Sequence, residues 1–217
     1  MIMIVCKNIS KQFRNQLVLR NISMEFSSGH IYGITGRNGS GKTVLLKVIC
    51  GLIPPTDGEV LINGENVLES KRQKVRIGAL IERPGFLPQY SGLHNLWLLA
   101  SLRNVVTKVD VEATMRAVGL DPKEKKPVRT YSLGMKQKLG IAQAIMENPD
   151  IIILDEPLNA IDNESVIRIR SLIRRMQSEG KLVIICSHIQ DDIDCLADKL
   201  YHMKDGVLIS KEKNDKE

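Results

Sequence analysis

The sequence predicts an α/β protein: a mostly parallel sheet flanked by helices, with an N-terminal antiparallel β part and a helical subdomain set into the middle. Three observations carry that expectation. Short β-branched runs ("HIYGIT", "IIIL", "LVIIC") alternate with amphipathic patterns ("KTVLLKVICGL", "ESVIRIRSLIRRMQSEG"), as parallel strands joined by crossover helices do. The opening stretches "IVCKNIS" and "LVLRNISMEF" read instead as half-buried strands. The central "LHNLWLLASL" and "DVEATMRAVGL" both have helical spacing.

At 217 residues, with 43% hydrophobic and 26% charged side chains, the chain fits one globular domain with a substantial core. Cys6, Cys50, Cys186 and Cys195 are scattered, without CxxC or a neighbouring histidine, and read as buried reduced thiols rather than disulfide or zinc ligands. The longest apolar runs fall far short of the roughly 18–20 residues of a membrane helix. "MIMIVCKNIS" lacks the pattern of a secretory signal, so the expected location is inside the cell. The net charge of +6 is spread, with clusters at 71–74, 123–126 and 168–175; it is compatible with nucleic acid, an anionic membrane face or simple solubility, and solvated surface is the favoured reading. The charged tail at 211–217 is expected to be flexible.

In chain order, "HIYGIT" leads straight into a loop at Gly36, and from Lys42 a helix places Leu45, Leu46, Ile49 and Leu52 on one face before Gly51, Pro54 and Pro55 stop it. Asn63-Gly64 and Asp205-Gly206 each sit between apolar stretches and predict hairpins. After the strand "VRIGALI" comes a turn-rich patch, then the helices, the second flanked by Asp110 and Gly119 as caps. "IIIL", "LVIIC" and "LYHM" return the chain to the sheet.

"GRNGSGKT", residues 36–43, stands between a strand and a helix, the context that gives GxxxxGK[ST] its chemistry. Gly36, Gly39 and Gly41 let backbone N–H groups of Arg37, Asn38, Ser40 and Val44 wrap a phosphate, Lys42 reaches the outer phosphates, and Thr43 ligates magnesium. The core is thereby read as a P-loop NTPase core that binds a nucleoside triphosphate. "IIILDE" supplies the acidic strand end such a loop needs: Asp155 for the metal, Glu156 as general base for the attacking water. In "YSLGMKQK", Ser132 is placed to cap a helix whose Met135, Leu139, Ala142 and Met146 share an apolar face, leaving an anion-binding N-terminus.

Lying just ahead of "NPDIIILDEP", that stretch resembles the signature motif of ABC-type ATPases, with Ser132 and Gly134 at its two key positions. The resemblance covers nearly the whole chain. It implies a RecA-like core (1–85 and 149–210, with the antiparallel part) and a helical signature subdomain (86–148) in one domain, 1–217. It further implies a homodimer, or a heterodimer with a similar subunit, that sandwiches two ATP with Mg2+, Ser132, Leu133, Gly134 and Met135 acting on the nucleotide of the other copy. On the same resemblance Phe13 stacks on adenine, with burial in the core as the other reading; Asp162 communicates across the dimer; and His188 contacts the terminal phosphate.

One position departs from the family pattern: Glu82 stands where a glutamine is usual. Its carboxylate either joins the metal site beside Asp155 and Glu156 or points to solvent. Glu82, "ERPGF" and "YSLGMKQ" resemble the exporters of bacitracin resistance and lantibiotic self-immunity. The expectation is an ATPase subunit, peripheral on the inner face of the plasma membrane, that drives export through separate transmembrane permease subunits. Exposed-looking residues around 83–105 either dock those subunits or pack the helical subdomain. The alternative is an ABC-type ATPase acting on nucleic acid or ribosomes; no nucleic acid is expected, because such proteins carry two ATPase domains or a long coiled-coil insertion.

Overall fold

The computed structural model describes residues 1–69 and 75–211. The basic run at 71–74 and the tail beyond 211 lie outside them. The chain forms β1 (Met3–Phe13), β2 (Gln16–Ser27), β3 (Ile31–Thr35), α1 (Lys42–Ile49), β4 (Asp57–Ile62), β5 (Glu65–Asn66) and β6 (Ile77–Leu80). The middle and last parts follow as α2 (Gly92–Arg103), α3 (Lys108–Ala117), α4 (Leu133–Ile145), β7 (Ile151–Asp155), α5 (Asn163–Ser178), β8 (Leu182–Ser187), α6 (Gln190–Asp194), β9 (Lys199–Lys204) and β10 (Val207–Lys211).

Two sheets result. The first is antiparallel in the order β2-β1-β4-β5; the second runs β10-β9-β3-β8-β7-β6, parallel except where β10 folds back on β9. Burial on both faces explains the uninterrupted apolar run of β7. Ile151 and Ile153 pack with α1 and the antiparallel sheet, while Ile152 and Leu154 pack with α4 and α5 on the other side. Both hairpins form at the expected dipeptides. Asn63 and Gly64, and Asp205 and Gly206, all have φ between 51° and 83°, the doubly left-handed turn that matches strand twist.

Local chemistry sets most boundaries, and it corrects several expectations. α3 is capped not by Asp110 but by Thr107; Asp110 is three residues in, and its carboxylate accepts a hydrogen bond from the Thr107 N–H in a capping box. α1 stops earlier than Leu52, because Gly51 takes φ 68°; Leu52 then lies beyond the helix and is 63% exposed. Phe13 is not a core residue, being 44% exposed with the Lys11 ammonium 5.0 Å from its ring centroid. Of the thiols, Cys6 and Cys186 are buried and Cys195 is exposed, against the expectation that all are enclosed. Burial pushes Cys6 and Cys50 up to about 12 and Cys186 well above the usual thiol range.

The helices between β6 and β7 are joined to the parallel sheet by α4, which lies against β6 at close range. A Cβ at Gly78 would sit 1.8 Å from the Ala144 carbonyl oxygen, a backbone atom that cannot swing aside. Gly78→Ala is therefore expected to lower the unfolding free energy by about 3 kcal/mol, read by urea denaturation.

Candidate functional site

Parallel register brings the site together. Thr35 at the end of β3 pairs with Ser187 at the end of β8, and Asp155 at the end of β7 pairs with Cys186. The segments that follow these strands all leave the sheet at one edge, where open α/β sheets bind ligands.

The loop 36–41 leaves β3 through Gly36 and enters α1 through Gly41, which has φ 105°. A Cβ at Gly36 would lie 2.3 Å from the Met203 carbonyl oxygen, so only glycine fits between the loop and β9. Lys42 is buried, and its ammonium donates to the carbonyls of Gly36 at 2.6 Å and Arg37 at 3.2 Å, which holds it over the loop. Asn38, Gly39, Gly41, Lys42, Thr43 and Val44 line a cavity of about 290 Å³, closed at its far side by Asp155 and Glu156. Gln16 and Val18 of β2 complete the wall; Phe13 pairs with Gln16 across the β1–β2 turn, next to that wall.

Asp155 is 7% exposed, and its Oδ2 accepts a 2.6 Å hydrogen bond from the Thr43 hydroxyl. Its Oδ1 is buried with no partner. A carboxylate oxygen left unpaired beside a hydroxyl is the oxygen-donor arrangement that a hard divalent cation takes. Burial raises the Asp155 carboxyl above the usual range; the Thr43 hydrogen bond opposes this, the charges of Glu156 and Glu82 add to it, and Lys42 offsets part.

Glu156 follows the strand at φ 50°, and its N–H donates to the Cys186 carbonyl, extending the ladder one residue past β7. Its carboxylate is fixed from β8: it accepts from the Ser187 hydroxyl at 3.2 Å and the His188 N–H at 3.0 Å, and its Oε2 lies 2.9 Å from His188 Nδ1. Glu156 and His188, singled out separately in the sequence, therefore meet directly. Glu82 also has a left-handed backbone, φ 60°, and its carboxylate goes to the Lys47 ammonium at 2.7 Å while lining a second cavity with Asp155 and Glu156.

Ser132 caps α4 by accepting from the Met135 N–H at 3.2 Å. Leu133 in the first turn is 55% exposed. Gly134 packs against the Ala160 carbonyl oxygen, 2.5 Å from where a Cβ would stand. Asp162 is the N-cap of α5, accepting from the Ser165 N–H at 2.9 Å, and that hydrogen bond holds its carboxyl below the usual range.

Four participants escaped sequence reasoning. Ser187, which ends β8 and donates to Glu156, has no motif of its own in the sequence. Gln137 donates to the Glu156 carbonyl at 2.8 Å, and Lys138 donates to Ser165 and lies 3.7 Å from Asp162. Helical spacing from Gly134 carried the signal for both, since positions three and four residues on share its face. The same spacing from Thr43 marks Lys47.

A phosphate-wrapping loop between a parallel strand and a helix, facing an acidic strand end, defines a P-loop nucleoside triphosphatase. Residues 19–159 match the ABC transporter family, and the chain belongs to that family as an ATP-binding subunit and ATPase. It is 41% identical over 211 residues to the ABC transporter ATP-binding protein YybJ of Bacillus subtilis, covering 97% of both chains. It is 40% identical to the bacitracin transport ATP-binding protein BcrA of Enterococcus faecalis, over 94% of this chain and 67% of that protein. It is 32% identical to the lantibiotic transport ATP-binding protein SrtF of Streptococcus pyogenes, over 98% and 92%. The fold is that of the dimeric structure of a bacterial ABC transporter cassette, with a TM-score of 0.89 at 23% identity over 99% of this chain and 100% of the other. Among the described residues no helix is long and apolar enough to cross a membrane.

Because the Asp155 carboxyl is raised in the folded chain, its ionisation removes stability as pH rises from about 4, the ordinary Asp value, through the folded value. Without nucleotide or metal, Asp155→Asn is expected to raise the melting temperature at neutral pH, with the gap closing as the pH falls through the raised folded value and gone by about pH 4. Thermal denaturation of both proteins across that range checks it.

Proposed function

We propose that this chain powers export of a peptide antibiotic or lantibiotic, or a similar amphipathic compound, through separate transmembrane permease subunits, while peripheral on the inner face of the plasma membrane. The observation that carries this reading is similarity, over nearly all of the chain, to ATP-binding proteins named for bacitracin and lantibiotic transport. Those names favour transport over action on nucleic acid or ribosomes.

In this reading two copies, or one copy and a similar subunit, enclose two ATP. Phe13, exposed beside the cavity wall, stacks on adenine. The backbone of 37–44 wraps the phosphates and Lys42 leaves the loop carbonyls for the outer ones. Thr43 and Asp155 hold Mg2+, to which the buried unpaired Oδ1 of Asp155 is suited, with Glu82 as a further oxygen donor. The ion supplies neutralisation of phosphate charge. Glu156, oriented by Ser187 and His188, takes the proton of the attacking water, and His188 reaches the terminal phosphate.

The N-terminus of α4, Ser132 to Met135, presents its first-turn N–H groups to the nucleotide of the other copy. Asp162 lies between the copies. The division into a core of 1–85 and 149–210 and a helical subdomain of 86–148 assigns each part its task. Leu87, Tyr90, Leu98 and Leu102, exposed around α2, offer an apolar surface to a permease helix.

Glu156→Gln is the deciding variant. ATP hydrolysis is expected to fall by about a hundredfold or more, while size-exclusion chromatography in MgATP shows a dimer that the parent forms only transiently. Retained turnover in the variant overturns Glu156 as the base.

A further inference from the structure

The mechanism above leaves Lys47 without a part, yet its position is specific. It follows Thr43 by four residues on α1, so both side chains leave one face of the helix at successive turns. Thr43 holds Asp155 through a 2.6 Å hydrogen bond, and Lys47 holds Glu82 through a 2.7 Å ion pair. One helix face thus grips two of the three acids that line a single cavity of about 220 Å³ with Arg83 and Gln137.

We propose that Lys47 is a positioning residue: it keeps the Glu82 carboxylate out of the cation site of Thr43 and Asp155, and Glu82 joins that site only when the ion pair opens. The inference rests on Thr43 and Asp155 as the Mg2+ site. Geometry supplies the need for such a restraint. Asp155, Glu156 and Glu82 share the cavity wall, and a third carboxylate turned inward would stand against two others. Lys42 is engaged elsewhere, with the loop carbonyls here and with the outer phosphates in the nucleotide-bound reading, and among the described residues Lys47 is the ammonium in contact with Glu82.

Exposure makes the restraint reversible. The Lys47 and Glu82 side chains are 28% and 60% exposed, a setting in which an ion pair is weak and screened. A divalent cation coordinated by an anionic oxygen competes readily with such a pair. The Glu82 backbone is left-handed, φ 60°, which is uncommon for a residue other than glycine.

The test is Mn2+ binding to the full chain saturated with a hydrolysis-resistant ATP analogue, with free Mn2+ read by electron paramagnetic resonance. Lys47→Met is expected to tighten Mn2+ by about three- to tenfold, as an added anionic ligand does. Lys47→Arg should match the parent, and Lys47→Met combined with Glu82→Gln should match Glu82→Gln alone. A Lys47→Met affinity within about twofold of the parent, below the gain an added ligand brings, overturns the inference. So does tightening that persists when residue 82 is glutamine. Asp155→Asn separates the two ideas. If it weakens Mn2+ while Lys47→Met is silent, the positioning role alone fails; if it leaves Mn2+ unchanged, the cation site fails and takes the inference with it.

Discussion

Register between β7 and β8 is the constraint on which the site depends. Asp155 opposite Cys186 puts Glu156 opposite the segment that begins with Ser187, and the Glu156 N–H to Cys186 carbonyl bond locks that step. A slip of one residue would exchange the faces of every side chain in β7. Ile151 and Ile153 would then leave the layer they share with α1, and Asp155 would turn from Thr43. The apolar packing on both faces of the sheet therefore specifies the alignment of the polar residues at its edge. Glu156 and His188 lie far apart in sequence, but they meet because two buried strands have only one register that fills both layers.

Charge in the site is arranged around α1. The helix contributes Lys42, Thr43 and Lys47, and each is attached to a different neighbour: the loop carbonyls, Asp155 and Glu82. Asp155 carries the electrostatic tension, buried and near two other acids, with a single hydroxyl bonded to it. A buried polar atom without a partner is uncommon in folded proteins.

Much of this was legible in the sequence, for physical reasons. Parallel strands are buried on both faces and read as unbroken apolar runs, so "IIIL" and "LVIIC" announce themselves. The phosphate loop is legible because its glycines answer a steric demand, here the carbonyl of Met203 against Gly36. The hairpin turns require left-handed backbone, which Asn-Gly and Asp-Gly provide. What escaped depends on contacts between distant segments. The Lys47–Glu82 pair joins residues 35 apart in sequence, and Gln137 meets the backbone of Glu156, an acceptor that any residue would present. Thr107 does not stand out as the cap in the sequence, because Asp110, three residues on, is as good a capping type; only the geometry of the box shows which holds which.

The attachments of α4 to the segment after β7 have a mechanical meaning. Gly134 abuts Ala160, Gln137 bonds the Glu156 backbone, and Lys138 reaches Ser165 and Asp162. These points lie on one helix face and span the whole length of the turn from strand to α5, so helix and turn form a rigid bracket. The main chain of Glu156 is thus held from α4 through its carbonyl and from β8 through its N–H, and its carboxylate is held from the end of β8 as well.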